Sequence, residues 1–279
     1  MTMNKSRSVF SWLFRPREHG APPPGQEPTV SKRSPSSSWY GEMVPFTGRT
    51  HLVVVSRSKV REYEEYCFAM FKEMHGSKIL GYNHPDTVRV RDIAHKIISA
   101  TGNALAVEQS GLVDLVDGLN WEVIVVRDLP GYAKCYPGAG KIIATTGLLD
   151  SFETDAEIAV SIAHEVGHVV ARHSSEIAYH TMCFPKIALL PFLRRNEAEA
   201  DHIGMLLHVA AGYDPHVVLE VLSKYLKLAE GSSRMRKLLN AHPSAKKRLR
   251  LLSEPKVMEE ALNLYKQVND IRDGVGLSM

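Results

Sequence analysis

Two histidines and a glutamate within five residues have the types and spacing to bind a metal ion and activate water. His164, Glu165 and His168 form the pattern His-Glu-x-x-His. Histidines four apart lie on one helical face, so both imidazoles can reach a single ion while the glutamate points to a water beside them. Zinc lowers the pKa of such a water to about 7, and a nearby carboxylate can take its proton. The pattern predicts one Zn²⁺ per chain and hydrolytic chemistry.

The neighbouring residues predict that this pattern lies on a largely buried helix. Thr154 and Glu157 have the spacing of a capping box, which marks a helix start. Apolar side chains then recur at helical spacing: Ile158, Ala159, Ile162, Ala163, Val166, Val169 and Val170. The histidine face should therefore turn to a cleft. The alternative is two ordinary histidines on a core helix, and a third ligand must decide between them.

A catalytic zinc site needs a third protein ligand besides the two histidines. The acidic run at 196–201 begins a second predicted helix that should end near Gly212. We assign Glu197 as the third ligand and Asp201, one turn later, as the acceptor that orients one of the histidines. Glu199 is the alternative ligand. An acidic first turn that only complements the helix dipole would produce the same run.

Three motifs in a fixed order resemble a family of zinc metallopeptidases. They are HEVGH at 164–168, NEAEADHIG at 196–204 and AHPSAKKR at 241–248. Together they resemble the zinc metallopeptidases that include the CAAX prenyl proteases and HtpX, over about Pro45 to the C-terminus. The resemblance implies zinc-dependent endopeptidase activity on protein or peptide substrates. It also implies a mitochondrial location, association with the inner membrane and a role in protein quality control.

The resemblance also implies roles for individual residues. The implied zinc ligands are His164, His168 and Glu197, and the implied catalytic carboxylate is Glu165. In the family a His-Pro element sits near the metal, and His242 occupies that place here. His242 would either donate to the developing oxyanion or occlude the open zinc position. A histidine that caps the helix starting near Ser244 is the alternative.

Composition and charge divide the chain into a tail and one domain. Residues 1–40 hold six Lys/Arg against two Asp/Glu, whereas the remainder holds 28 against 29. We expect residues 1–44 to be a disordered basic tail, either a targeting segment or a plain extension. We expect residues 45–279 to form the metallopeptidase domain. Its nearly neutral charge argues against a nucleic-acid-binding surface.

The predicted fold is α+β, mainly helical and gluzincin-like, with a small β-sheet beside the active-site helix. Further helices are predicted at 59–75, 85–101, 215–229 and 255–272, and strands at 51–56, 121–126 and 141–146. The last strand leads directly into the catalytic helix, so we expect its edge to pair with an extended substrate. Tyr132-Ala133-Lys134 stands before it where the family tends to have Asn-Ala-Phe.

Other features restrict the location and the partners. The chain has no uncharged apolar run of the roughly 18 residues that span a bilayer, although the resemblance implies a membrane anchor. Three scattered cysteines predict neither a disulfide framework nor a cysteine-zinc site. We interpret the basic run Lys246, Lys247, Arg248 and Arg250 as a solvated face. Peripheral attraction to an anionic membrane surface is the alternative.

The leading hypothesis is a zinc metalloendopeptidase. The alternative is a non-proteolytic, zinc-stabilised interaction protein, a pseudopeptidase that keeps the metal but does not bind substrate productively. The unusual residues before the last strand and the short segment between the two zinc motifs favour the alternative. The complete set of catalytic residues opposes it, because a structural zinc needs neither Glu165 nor an open coordination position.

Overall fold

The computed structural model of the chain describes residues 41–107, 116, 118–231 and 245–276. It is mainly helical with two small sheets, which confirms the predicted α+β class. The helices are α1 (Arg57–His75), α2 (Pro85–Val107), α3 (Thr146–Ser151), α4 (Asp155–Val170), α5 (His173–Cys183), α6 (Leu190–Ala210), α7 (His216–Gly231), α8 (Ala245–Leu252) and α9 (Pro255–Gly276). The strands are β1 (Gly41–Met43), β2 (Thr50–Leu52), β3 (Glu122–Val126), β4 (Ala133–Tyr136) and β5 (Lys141–Thr145). Short 3₁₀ helices lie at Gly76–Lys78 and Lys186–Leu189.

The sheet beside α4 has the strand order β3-β5-β4. β5 pairs in parallel with β3 and antiparallel with β4, so both of its edges are occupied. The prediction that the strand at 141–146 offers an edge to substrate is therefore wrong. The edge belongs to β4, which was not predicted as a strand. Its sequence, AKCY, is short and lacks β-branched residues.

The catalytic helix begins as its sequence predicts, whereas the second helix does not. The Thr154 side chain accepts a hydrogen bond from the Glu157 backbone, and the Glu157 side chain accepts one from the Thr154 backbone, which confirms the capping box. α6 begins at Leu190, so Asn196 lies inside it, and the prediction that Asn196 opens this helix is wrong. The acidic run is therefore not a first turn that complements the helix dipole. α2 likewise continues through Gly102, where it was predicted to end.

The core lies between α4, α6, α2 and the β3-β5-β4 sheet. Its fully buried side chains include Ile97, Ile142, Ile162, Leu148, Phe152 and Leu207. Among the described helices, none carries an apolar stretch long enough to cross a bilayer. Cys67, Cys135 and Cys183 are free thiols.

Helices α4 and α6 touch along their backbones at two glycines. A Cβ added at Gly167 would lie 2.7 Å from the carbonyl oxygen of Ala200, and one at Gly204 would lie 2.9 Å from the backbone nitrogen of His164. Real Cβ atoms do not approach backbone so closely, so the two positions require glycine for this helix spacing. The contact places the side chains of both helices in one cleft.

A buried carboxyl group on α1 fastens the turn between β4 and β5. One oxygen of Glu64 accepts a hydrogen bond from the Gly138 backbone, and the other accepts one from the Ser174 hydroxyl at the start of α5. Burial raises the pKa of Glu64 from 4.5 to about 7, although both hydrogen bonds oppose that rise. The folded protein therefore binds this proton more tightly than the unfolded chain does.

We predict that Glu64 makes the stability of the protein fall as the pH rises. Because its pKa is raised on folding, its contribution is complete below about pH 4.5 and is lost as the pH rises through 7. The free energy of unfolding should fall by about 2–3 kcal/mol between pH 5 and 8 relative to a Glu64→Gln variant, measured by urea denaturation. Glu65→Gln, at an exposed neighbouring position, is the control. If the free energy of unfolding changes with pH in the same way in the wild type and in Glu64→Gln, this prediction is contradicted.

Candidate metal centre

Three side chains from two helices bring their ligand atoms together in the cleft. Nε2 of His164 lies 3.2 Å from Nε2 of His168, and the Glu197 carboxylate oxygens lie 3.5 and 3.6 Å from these two nitrogens. Among the described residues, these three form the group with metal-binding geometry. The histidines come from α4, one helical turn apart, and Glu197 comes from α6.

The spacing of these donor atoms fits zinc. Tetrahedral zinc with ligands at about 2.0–2.1 Å holds neighbouring donor atoms about 3.3–3.4 Å apart. The two imidazole nitrogens lie 3.2 Å apart, close to that value, and each of them faces a different oxygen of Glu197, at 3.5 and 3.6 Å. Two imidazoles and one carboxylate are also the ligand set of many catalytic zinc sites.

Asp201 lies directly behind the first histidine. Its Oδ1 is 2.9 Å from Nδ1 of His164, so it can accept that proton and leave Nε2 for a metal. Burial disfavours a charge on His164, but hydrogen bonds to Asp201 and Glu197 raise its pKa to about 10. The carboxylates of the site therefore favour a cation among them.

A buried arginine from α8 joins the same group. Arg248 donates to both oxygens of Asp201 and, at 3.2 Å, to Oε2 of Glu197. Burial alone would raise the pKa of Asp201, but the Arg248 guanidinium lowers it. The interpretation of Arg248 as part of a solvated face is thus wrong, because its side chain is only 8% exposed. Lys246, Lys247 and Arg250 are exposed as predicted.

The alternative ligand, Glu199, faces away from the pair of ligand nitrogens. Its Oε2 lies 3.0 Å from Nε2 of His173, and it accepts hydrogen bonds from Thr47 and Arg49. His173 in turn contacts Nδ1 of His168 through its own Nδ1, at 2.7 Å. The structure therefore places Glu199 two contacts behind the metal centre. His173, Arg49 and Thr47 were not predicted as site residues from the sequence.

Glu165 lies between the metal ligands and the edge strand. Its Oε2 accepts a hydrogen bond of 2.7 Å from the backbone N–H of Cys135 in β4. This bond orients a carboxylate that is only 6% exposed. It also shows that the Cys135 N–H points away from β5, toward the cleft.

An apolar pocket opens beside Glu165 and His164. Its lining comes from α4, α6, α7, α8 and the start of β4, and its apolar and aromatic side chains include Ala133, Val160, Met205, Val218, Leu222 and Tyr225. The Tyr225 hydroxyl lies 3.1 Å from the Ser161 hydroxyl, and burial raises the pKa of Tyr225 to about 12. This tyrosine therefore stays protonated and, with Ser161, places hydroxyl groups beside the apolar side chains of the pocket.

The structure brings together most of the predicted site residues. His164, His168, Glu197, Glu165 and Asp201 lie in one cleft. His242 lies outside the described residues. Its position on a helix could have identified Arg248 as a site residue. On α8 it lies on the inward face, whereas Lys246, Lys247 and Arg250 are exposed.

The fold and the candidate metal centre indicate a class of protein. A His-Glu-x-x-His helix joined by a glutamate from a second helix is typical of a metallopeptidase. The profile of peptidase family M48 matches residues 98–190 and 177–256, more than half of the chain. The chain belongs to peptidase family M48, and the predicted resemblance to zinc metallopeptidases is confirmed. Both ligand-bearing helices lie within the matched residues.

Several curated proteins are similar over most of the chain. The mitochondrial metalloendopeptidase OMA1 of Arabidopsis thaliana is 33% identical, with 84% of this chain and 64% of that protein aligned. The Schizosaccharomyces pombe protein of the same name is 30% identical, over 76% of this chain and 66% of its own length. The human protein is 24% identical, over 82% and 48%. The chain thus spans about half to two thirds of the length of these relatives.

We predict that a single methyl group at Gly204 disrupts the metal centre. The Gly204→Ala methyl would lie 2.9 Å from the His164 backbone and push α6, with Glu197 and Asp201, away from α4. Overpacking of this kind lowers the free energy of unfolding by about 1–3 kcal/mol. Urea denaturation should show the lower free energy of unfolding, and a zinc competition titration should show a lower zinc affinity. Gly76→Ala is the control, because nothing lies near its added Cβ. Unchanged zinc affinity in Gly204→Ala would contradict this account.

Proposed function

We propose that this protein is a zinc-dependent endopeptidase that hydrolyses peptide bonds in protein substrates, with one Zn²⁺ per chain. The observation that carries the proposal is the convergence of His164, His168 and Glu197 within 3.2–3.6 Å of one another, beside the oriented carboxylate of Glu165. Membership of peptidase family M48 supports it. A purely structural metal site would need no carboxylate at the position of Glu165.

The proposed mechanism assigns each residue a task. When zinc is bound by the two histidines and Glu197, it supplies Lewis acidity toward the attacking water and the scissile carbonyl. Glu165 takes a proton from the attacking water and passes it to the leaving amine. Asp201 holds His164 in the tautomer that leaves Nε2 available, and Arg248 holds Asp201 in place.

The edge strand β4 can pair with the backbone of an extended substrate. The Cys135 N–H points to Glu165, and backbone directions repeat every second residue, so the N–H and C=O of Ala133 point to the same side. We propose that an extended substrate pairs with Ala133 and so passes across Glu165. Main-chain pairing binds many sequences, which suits a protease of protein substrates.

The apolar pocket beside Glu165 suits an apolar substrate side chain next to the scissile bond. Val160, Met205, Val218 and Leu222 would surround such a side chain. Burial of each CH₂ group contributes about 0.8 kcal/mol, so the pocket can discriminate by side-chain size.

We predict that Glu165→Gln abolishes proteolysis and retains zinc. Gln has almost the same shape but cannot accept the proton, and general acid–base catalysis contributes about 10²–10⁴-fold in rate. Cleavage of an unfolded protein, followed by gel electrophoresis with and without a zinc chelator, measures the activity. Atomic absorption measures the zinc.

The control variant is Glu62→Gln, an exposed position on α1 that should leave cleavage unchanged. Chelation of the wild type should stop cleavage, and added zinc should restore it. Wild-type turnover in Glu165→Gln would remove Glu165 from the mechanism. Absence of zinc from the wild type would overturn the proposed metal centre.

The pseudopeptidase remains the second candidate. Tyr132, in place of the asparagine expected by resemblance, lines the substrate pocket and could impede productive binding. This candidate predicts zinc in the purified protein and no chelator-sensitive cleavage of any unfolded substrate. The same assay therefore separates the two functions.

We further propose a mitochondrial location and a role in protein quality control. The relatives named mitochondrial metalloendopeptidases, at 33% and 30% identity, support the location. The basic opening segment at 1–40 is consistent with import, with its six Lys/Arg against two Asp/Glu. The exposed Lys246, Lys247 and Arg250 offer a surface for peripheral contact with anionic lipid. Import of a fluorescent fusion into isolated mitochondria, with and without residues 1–44, tests the location.

A further inference from the structure

A third histidine contacts a proposed zinc ligand from behind. Nδ1 of His173 lies 2.7 Å from Nδ1 of His168, and Nε2 of His173 lies 3.0 Å from Oε2 of Glu199. We propose that His173 and Glu199 are positioning residues that hold His168 in the tautomer whose Nε2 lone pair faces the metal. This inference rests on the proposed metal centre.

The positions of the ring nitrogens determine which one carries the proton. A neutral imidazole has one N–H donor and one acceptor nitrogen. Nε2 of His168 faces Nε2 of His164 at 3.2 Å and Oε1 of Glu197 at 3.6 Å, so Nε2 is the ligand atom. The proton of a metal-binding His168 must then lie on Nδ1. The atom positioned to accept it is Nδ1 of His173.

The tautomer of His173 is determined by its own two contacts. If Nδ1 of His173 accepts, the proton of His173 lies on Nε2, where the Glu199 carboxylate is the acceptor. In the opposite tautomer the Nε2 lone pair of His173 would face the Glu199 carboxylate, and its Nδ1–H would face the Nδ1–H of His168, so both contacts would be unfavourable. Glu199, His173 and His168 therefore form a directed chain that ends at the metal.

Glu199 is itself held rigidly by the loop between β1 and β2. Thr47 donates to its Oε1 at 2.7 Å, and Arg49 donates through Nε to both oxygens at 2.9 Å. A second carboxylate, Glu176 on α5, accepts hydrogen bonds from Nη1 and Nη2 of Arg49 at 2.9 and 2.8 Å. The β1–β2 hairpin thus anchors the far end of the chain.

A break in the helix makes the contact possible. His173 follows His168 by five residues, which in a continuous helix would turn it about 140° away. α4 ends at Val170, and Arg172 adopts a left-handed conformation with φ 52° before α5 begins. The reversal returns His173 to the back of His168, with only 1% of its surface exposed.

The test compares two substitutions of His173 in the full chain. His173→Phe keeps the ring and removes both nitrogens, whereas His173→Gln keeps one acceptor and one donor. We expect His173→Phe to weaken zinc binding by about 10–100-fold in a chelator competition titration, and His173→Gln to restore most of the affinity. In ¹⁵N-histidine NMR spectra of metal-free protein, His168 should carry its proton on Nδ1 in the wild type and on Nε2 in His173→Phe.

A matched control is His208→Phe, which removes another buried histidine that contacts the Ala156 carbonyl and no metal ligand. It should retain the zinc affinity of the wild type. Circular dichroism shows whether His173→Phe is folded. If the folded variant keeps the zinc affinity and the His168 tautomer of the wild type, the inference is overturned. If His173→Phe does not fold, Glu199→Ala takes its place and is judged by the same two measurements. His168→Ala and Glu197→Ala distinguish failure of the proposed metal centre from failure of the positioning role of His173. Unchanged zinc binding in these two variants would overturn the metal centre itself.

Discussion

The metal centre depends on how closely α4 and α6 approach each other. Ligand atoms from two helices must meet within 3.2–3.6 Å, although each helix is positioned by its own packing in the core. Gly167 and Gly204 allow backbone to contact backbone, which brings Glu197 and Asp201 to the histidine face. Protein interiors are packed as densely as crystals, so the helix spacing cannot adjust without displacing neighbouring groups.

A second constraint is the burial of charge. Glu165, Glu197, Glu199 and Asp201 are each less than 10% exposed. Buried carboxylates are tolerated where cations and hydrogen-bond donors surround them. Arg248 donates hydrogen bonds to Asp201 and Glu197, and Arg49 donates them to Glu199. The acids are consequently fixed in direction, and a cation bound by the two imidazoles and Glu197 would complete the charge balance.

The order of the strands in the sheet could not be predicted from the sequence. β-Branched residues identified β3 and β5, because that signal lies within each strand. The strand order does not follow from either segment. β5 lies in the middle, and the edge beside Glu165 belongs to β4, in which the exposed Lys134 interrupts the apolar pattern. An edge is a property of the assembled sheet, so no single segment encodes it.

The sequence by itself determined the elements whose causes are local: the capped helix, the one-turn spacing of His164 and His168, and the glutamate between them. These follow from the 3.6-residue repeat and from side-chain hydrogen bonds to nearby backbone. Tertiary structure alone decided that Arg248 turns inward and that His173 and Arg49 stand behind the ligands. Those contacts join residues 47 to 150 positions apart, or cross the left-handed turn at Arg172. Such pairings arise from the packing of whole elements, which the periodicity of any one segment does not record.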